Sequence, residues 1–315
     1  MVILLHCAAR YLYEYNAIAL ADWRIADIVD SAVRFSVPLF FMVSGYVFYG
    51  PHQPRPRHLM RLVMCIVAYG CIAVGYKAIW GSGALDALLL LPFAPPFYHL
   101  WFFYTLAPVY LVGMLVTVRE PPRFWLIIGL AVIFFVVLNP HLAYLAPFSL
   151  ARSGAAALDG SVIWYVLYAI LGAALGRSVA PRLPWGGIAV IIVVGTTAII
   201  ARDAEVRTAA AADGTLTAPL FNYMSVPVLA GAVAIFMAVR TGTIPVMARP
   251  TLLFVHRYSL PLYGLHALVL DALWRRLFWP ADQAWKIAAI FPLTVLLTLC
   301  IAIPLSSIDR RRWIT

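Results

Sequence analysis

Charge is what this sequence has least of. Asp, Glu, Lys and Arg make up 11% of the 315 residues, against roughly 25% in a soluble domain. Apolar residues make up 64%, against roughly 45–50%. Too little polar surface is left to coat a water-soluble globule, which excludes a soluble enzyme, a disordered chain and a secreted scaffold. Cysteine is scarce as well. Cys7, Cys65, Cys71 and Cys300 lie in apolar runs without a CxxC pair, so they read as small core residues rather than disulfide partners or metal ligands. The sequence also has no GxSxG elbow, no glycine-rich nucleotide loop and no histidines clustered with carboxylates at ligand spacing. A serine hydrolase, a nucleotide-loop protein and a metal centre are therefore not indicated. No basic stretch precedes the first apolar run and no small-residue cleavage site follows it, so no cleaved signal peptide is expected. Internal repeats, low-complexity tracts, long linkers and paired broken helices are likewise not visible in the sequence.

What is present is a series of long apolar runs. A hydrocarbon core about 30 Å thick takes about 20 helical residues to cross. Ten runs qualify, near 1–19, 32–50, 59–80, 98–118, 123–140, 161–177, 185–201, 218–240, 252–272 and 284–305. Lipid cannot satisfy open backbone groups, and the runs lack the alternation of a barrel. The expected fold is all-α: one bundle of about ten transmembrane helices, forming a single domain over residues 1–315 with no appended soluble domain. The longest connections are expected near 20–31, 81–97, 141–160 and 202–217.

The net charge of +10 sits in short segments between these runs, a pattern of orientation signals rather than of nucleic-acid binding. An even number of spans puts both termini on one side. If that side is the cytoplasm, thirteen of the 23 basic residues are inside and eight are outside the membrane on the far face. Both termini are therefore expected to be cytoplasmic.

Polar groups inside spans are costly, and each is a candidate for function. His6 lies in the first run with Arg10 and Glu14 following at steps of four, near one helical face. An imidazole there is suited to general base chemistry; the alternative is a histidine bonded between helices, with Arg10 and Glu14 marking the interface. Arg34 opens the segment Arg34-Phe35-Ser36-Val37-Pro38-Leu39-Phe40-Phe41-Met42-Val43-Ser44-Gly45-Tyr46. Its small residues allow close helix approach, and Arg34 either holds an anionic or carbonyl group or snorkels to the interface. Arg55-Pro56-Arg57-His58-Leu59-Met60-Arg61 gathers three arginines and a histidine at a helix start. That is either a phosphate site or an inside-orientation signal.

These segments together resemble the acyltransferase-3 family of integral membrane acyltransferases. The resemblance rests on the first-helix histidine in Val2-Ile3-Leu4-Leu5-His6, the Arg34 to Tyr46 segment, the basic start at Arg57 to Arg61, and His99-Leu100-Trp101-Phe102-Phe103 with a late partner in Ser259-Leu260-Pro261-Leu262-Tyr263-Gly264-Leu265-His266. It covers essentially the whole chain.

The resemblance implies a multi-pass O-acyltransferase of the cell inner membrane that modifies a cell-envelope polysaccharide or other glycan. An acyl group, usually acetyl, would pass from cytoplasmic acyl-CoA to a hydroxyl of a glycan or glycolipid at the outer face. His6 would be base or transient acyl carrier, and Arg34 would steady the thioester carbonyl or the acceptor. Arg57, His58 and Arg61 would face the CoA phosphates. Arg10, Ser44, Tyr46, His99, Trp101 and His266 are acceptor-site or structural candidates. Acetyl-CoA is the expected donor and no metal is expected; the partners are membrane lipid and the acceptor, not nucleic acid.

Two features depart from the family's pattern. An arginine usually stands about ten residues before the first-helix histidine, and only five residues precede His6 here. The first helix is thus expected to be short at its N-terminal end. His58 stands where the first of two arginines three apart is usual, with Arg57 beside it. The rival reading is a secondary transporter or lipid flippase whose intramembrane charges line the path.

Overall fold

A computed structural model of the chain describes residues 1–14, 17–81, 83–118, 123–139, 161–178, 222–242 and 246–315, with a few positions between 193 and 200. Every regular element among the described residues is a helix, as expected. The run expected at 185–201 and the connections expected at 141–160 and 202–217 lie largely or wholly outside the described residues. The helices are α1 Val2–Tyr13, α2 Leu20–Val33, α3 Ser36–Phe48, α4 Pro56–Ile79, α5 Ala84–Leu89 and α6 Trp101–Leu115, the last led by a 3-10 turn, Tyr98–Leu100. There follow α7 Phe124–Val132 (continued by a π turn, Ile133–Val137), α8 Ser161–Arg177, α9 Val226–Thr241, α10 Arg249–Arg257, α11 Ser259–Leu273 and α12 Trp285–Ile308.

Among the described residues, four stretches are long and apolar enough to cross a membrane: Leu20–Phe48, Pro56–Ile79, Tyr98–Leu115 and Trp285–Ile308. On α4, Leu62, Cys65, Tyr69 and Ala73 are buried at helical spacing, while Met60, Val63, Met64 and Val67 are exposed. A helix that is apolar on its outer face as well as its inner one belongs in lipid. Cys71 and Cys300 lie on exposed positions rather than in the core expected for them. A small apolar thiol is tolerated against lipid as readily as inside a protein.

The described residues divide into two compact units, residues 1–54 with 111–243 and residues 55–110 with 244–315. The first unit is built on α3 and α8, whose contact is its most extensive. Phe41 stacks on Tyr165 with ring centroids 4.3 Å apart, and one turn later on both helices Gly45 meets Ala169. A second pair of matched steps sets Met42 against Gly172 and Tyr46 against Gly176, so the two helices run parallel. A Cβ at Gly45 would lie 1.8 Å from the Ala169 carbonyl oxygen, and one at Gly172 2.1 Å from that of Met42. Glycine here lets backbone touch backbone, the contact by which helices associate in lipid. α9 packs on both, α7 on α8, and α1 on α2.

In the second unit α11 packs on α12 and α4. Tyr69 lies against Gly264, and seven residues later on both helices the Tyr76 hydroxyl donates to Asp271 Oδ2 at 2.7 Å. The shared step of seven makes α4 and α11 parallel. Arg275 closes that end by donating to the same Asp271 oxygen at 2.6 Å.

Two helix interruptions differ from the sequence expectation. Residues 20–31, expected as a connection, form most of α2, and the run expected at 252–272 is broken between α10 and α11. Both breaks have one cause. Residues 34–39 read Arg-Phe-Ser-Val-Pro-Leu and residues 257–262 read Arg-Tyr-Ser-Leu-Pro-Leu. A proline has no N–H for the carbonyl four residues earlier and collides with it. Pro38 thus ends the preceding helix at Arg34, and Pro261 ends it at Arg257. Each proline sits at the third position of the new helix, where its ring is tolerated. The chain therefore does hold a matched pair of interrupted helices, one in each unit, which the sequence reading did not find.

Candidate active site

In the second unit the chain brings His99 and His266 together, 167 positions apart in sequence. Neither is exposed to any extent. Their rings lie 5.1 Å apart between centroids, at 75°. His99 sits on the 3-10 turn that opens α6, and its Nε2 meets the Gly264 carbonyl oxygen at 3.0 Å. His266 lies two turns into α11, with Nδ1 at 2.8 Å from the Tyr263 carbonyl and 3.1 Å from that of Leu262. Carbonyls only accept, so the neutral rings hold their protons at His99 Nε2 and His266 Nδ1. The lone pairs then belong to His99 Nδ1 and His266 Nε2. His99 Nδ1 has no hydrogen-bond partner among the described residues.

Aromatic rings enclose the pair. Phe97, Tyr98 and Tyr263 all approach His99 with centroids within 6 Å, and the Tyr263 hydroxyl donates to the His99 carbonyl. Trp101 is half-buried and meets Phe102 edge-on at 6.3 Å. At the opening of its span, His99 is fully buried. Apolar walls that exclude water strengthen whatever electrostatic contact forms inside them.

The basic start of α4 belongs to the same unit. Arg57 and Arg61 are exposed and His58 is half-buried. His58 Nδ1 accepts the Arg55 amide at 2.8 Å, which covers one of the N–H groups a helix start leaves open and puts the ring's proton on Nε2. Its role in the fold is thus an N-terminal cap. Arg61 Nη2 donates to the Thr315 main-chain oxygen at 2.8 Å.

The first unit holds His6 and Arg34. His6 is half-buried on α1, beside the buried face made by Leu5, Ala8 and Leu12. Arg10 is half-buried one turn on, and Glu14 falls just past the helix end. Arg34 is held by a residue the sequence reading passed over. Asp30 Oδ2 receives Nε at 2.7 Å and Nη2 at 2.6 Å, and the guanidinium lies 5.8 Å from the Tyr223 ring centroid. Asp30 is 0% exposed, and Asp27, one turn before, is 1% exposed. Asp30 Oδ1 and the Ser31 and Ser36 hydroxyls are buried without hydrogen-bond partners among the described residues. The signal was there: Trp23, Asp27, Asp30 and Arg34 follow at steps of three and four, one face of a helix.

Ser44 and Tyr46 lie elsewhere on α3. The Ser44 hydroxyl donates to Phe40 O of its own helix at 2.9 Å, and Tyr46 packs against Gly176 with Arg177 6.0 Å from its ring. Tyr46 lines, with His52 and Arg177, an open hollow of about 410 Å³.

Breaking a buried ion pair by removing one partner costs about 3–5 kcal/mol, because the other charge is left alone. Asp30→Ala and Arg34→Ala should each lower the melting temperature in detergent, and the double variant should recover most of that loss. If activity stays absent in the recovered double variant, Arg34 acts on the reaction and not only on the fold.

Compared with known families, residues 1–307 match the acyltransferase-3 family, described as an acyltransferase domain. Searches of the curated proteins and of the solved structures find no match. With its apolar helices and a match over nearly its full length, this multi-pass membrane protein belongs to the acyltransferase-3 family and is an acyltransferase.

Proposed function

We propose that the protein moves an acyl group, acetyl foremost, from cytoplasmic acyl-CoA to a hydroxyl of a glycan or glycolipid at the outer face of the inner membrane. The observation that supports this best lies within one unit. α4 begins with exposed Arg57 and Arg61, and its buried face reaches Tyr69 beside Gly264, the residue whose carbonyl meets His99. A single helix thus links a cationic end suited to CoA phosphates with a dry pair of imidazoles suited to acyl chemistry.

In the proposed reaction the acceptor oxygen attacks the thioester carbonyl as a histidine takes its proton. The tetrahedral oxyanion then expels the CoA thiolate, which is protonated in turn. His6 holds the part of base or acyl carrier that the family resemblance gives it, and His266 Nε2 is a second imidazole with the required lone pair. Arg34, with Asp30 fixing its guanidinium, orients the acceptor or the oxyanion. The buried oxygens of Asp30, Ser31 and Ser36 offer hydrogen bonds to a hydroxyl-rich ligand.

Arg57→Glu tests the donor end. Reversing a charge that faces phosphate should raise the KM for acetyl-CoA at least about tenfold, with kcat changed much less, because uniform binding is lost. An unchanged KM would remove the phosphate role from this turn.

A further inference from the structure

Beyond α12 the chain folds back. The Asp309 carboxylate accepts the amide N–H groups of Trp313, Ile314 and Thr315 at 3.1, 2.8 and 3.0 Å, and the Thr315 hydroxyl at 3.1 Å. Burial pushes the Asp309 carboxyl up, but these donors outweigh it and hold its pKa below the ordinary carboxylate value. Three successive amides turned to one carboxylate leave the main-chain oxygens of the same residues to bond elsewhere, and all three meet α4. The Cys65 thiol donates to Trp313 O at 3.6 Å, the Tyr69 hydroxyl to Ile314 O, and Arg61 Nη2 to Thr315 O at 2.8 Å. Arg61, Cys65 and Tyr69 are spaced by four, so they form one stripe rising about 12 Å along the helix.

Both ends of the stripe are defined. One turn before Arg61 lies Arg57. At the other end Tyr69 is fully buried, stacked at 5.9 Å on Phe103, and Phe103 meets Tyr263 beside the histidine pair at 5.3 Å. Along the stripe α4 donates to three successive main-chain oxygens of a compact turn, Thr315 O at the Arg61 end, Trp313 O at Cys65 and Ile314 O at Tyr69. The pantetheine arm of CoA has the same chemistry: a flexible chain with amide carbonyls, phosphates at one end and the thioester at the other.

We propose that Arg61, Cys65 and Tyr69 are the binding strip for the pantetheine arm of the acyl-CoA donor, and that residues 313–315 occupy this strip until the donor displaces them. The inference rests on the acyl-CoA reading above. A tail docked nine-tenths of the time raises the apparent Kd for the donor about tenfold.

The test uses the purified full-length chain and acetyl-CoA. In the unaltered protein the amides of residues 313–315 should exchange hydrogen slowly, and acetyl-CoA should speed their exchange. A chain stopped after Arg312 should bind acetyl-CoA about tenfold more tightly. Its Cys65 should be alkylated faster by N-ethylmaleimide, as read by peptide mass spectrometry, and acetyl-CoA should slow that alkylation again. Tyr69→Phe in the stopped chain should weaken acetyl-CoA binding while leaving 3′-phospho-ADP, which lacks the arm, unaffected. If the stopped chain does not fold, the exchange measurement on the intact protein decides alone. Acetyl-CoA that binds without changing the exchange of residues 313–315 or the alkylation of Cys65 overturns the inference and leaves the donor reading standing. Absence of acetyl-CoA binding to both intact and stopped chains removes the donor reading, and the inference with it.

Discussion

His266→Asn is expected to give a folded protein with acyl transfer reduced by about 10²–10⁴-fold, the usual contribution of a positioned proton-transfer group. The variant separates the two parts of the ring. The asparagine amide occupies roughly the place of Nδ1, so it can still donate toward the Tyr263 and Leu262 carbonyls that hold His266 now. What it lacks is the lone pair at Nε2. A histidine kept only for its bonds within α11 would be replaced by asparagine with little loss. His266→Gln is the matching control, since its longer amide reaches toward Nε2 without supplying an imidazole base. Membrane abundance and thermal unfolding report the fold, and release of CoA thiol from acetyl-CoA reports the chemistry. Near-normal turnover in His266→Asn would make this histidine structural.

The second large effect belongs to the fold. Gly45→Val and Gly172→Val should each prevent α3 and α8 from closing. The added atoms would stand 1.8 Å and 2.1 Å from main-chain oxygens, and a backbone cannot rotate aside as a side chain can. Overpacking ordinarily costs about 1–3 kcal/mol, and a backbone obstacle on the most extensive helix contact belongs at or above the top of that range. The expected result is loss of folded protein from detergent extracts, read by size-exclusion profile. Gly176→Ala meets the Tyr46 ring instead, an exposed side chain with room to turn, and should lose far less. Gly75→Ala and Gly129→Ala, which meet nothing within 4 Å, should be neutral. Equal tolerance at Gly45 and Gly75 would mean that α3 and α8 are not in backbone contact.

The all-helical architecture was legible because its cause is compositional: apolar runs of membrane length admit few other structures. The break at Arg34 was half legible. Pro38 marks where a helix cannot run through unbroken, but residues 20–31 carry Asp22, Arg24, Asp27 and Asp30 and so read as a connection. A charge count cannot see pairing. Asp30 and Arg34, four apart on one helical face, neutralise each other, and a segment read as polar enters the interior.

His6 and Arg57 stood out because each is chemically conspicuous alone. His99 and His266 were singled out separately, yet their meeting depends on α11 lying against the turn before α6, a contact with no local signature. The backbone contacts at Gly172 and the return of residues 313–315 to α4 are of the same kind. Tertiary proximity decides them, and neighbouring residues in sequence do not announce it.

The account depends first on acyl transfer from acyl-CoA. The most direct measurement is transfer of labelled acetyl from acetyl-CoA in membranes containing this protein, with several glycan and glycolipid acceptors supplied, beside His6→Ala and His266→Asn at equal expression. The account predicts a labelled acceptor from the unaltered protein and none above background from either variant. A folded protein that labels no acceptor and releases no CoA, or one whose labelling is unchanged in both variants, would contradict it.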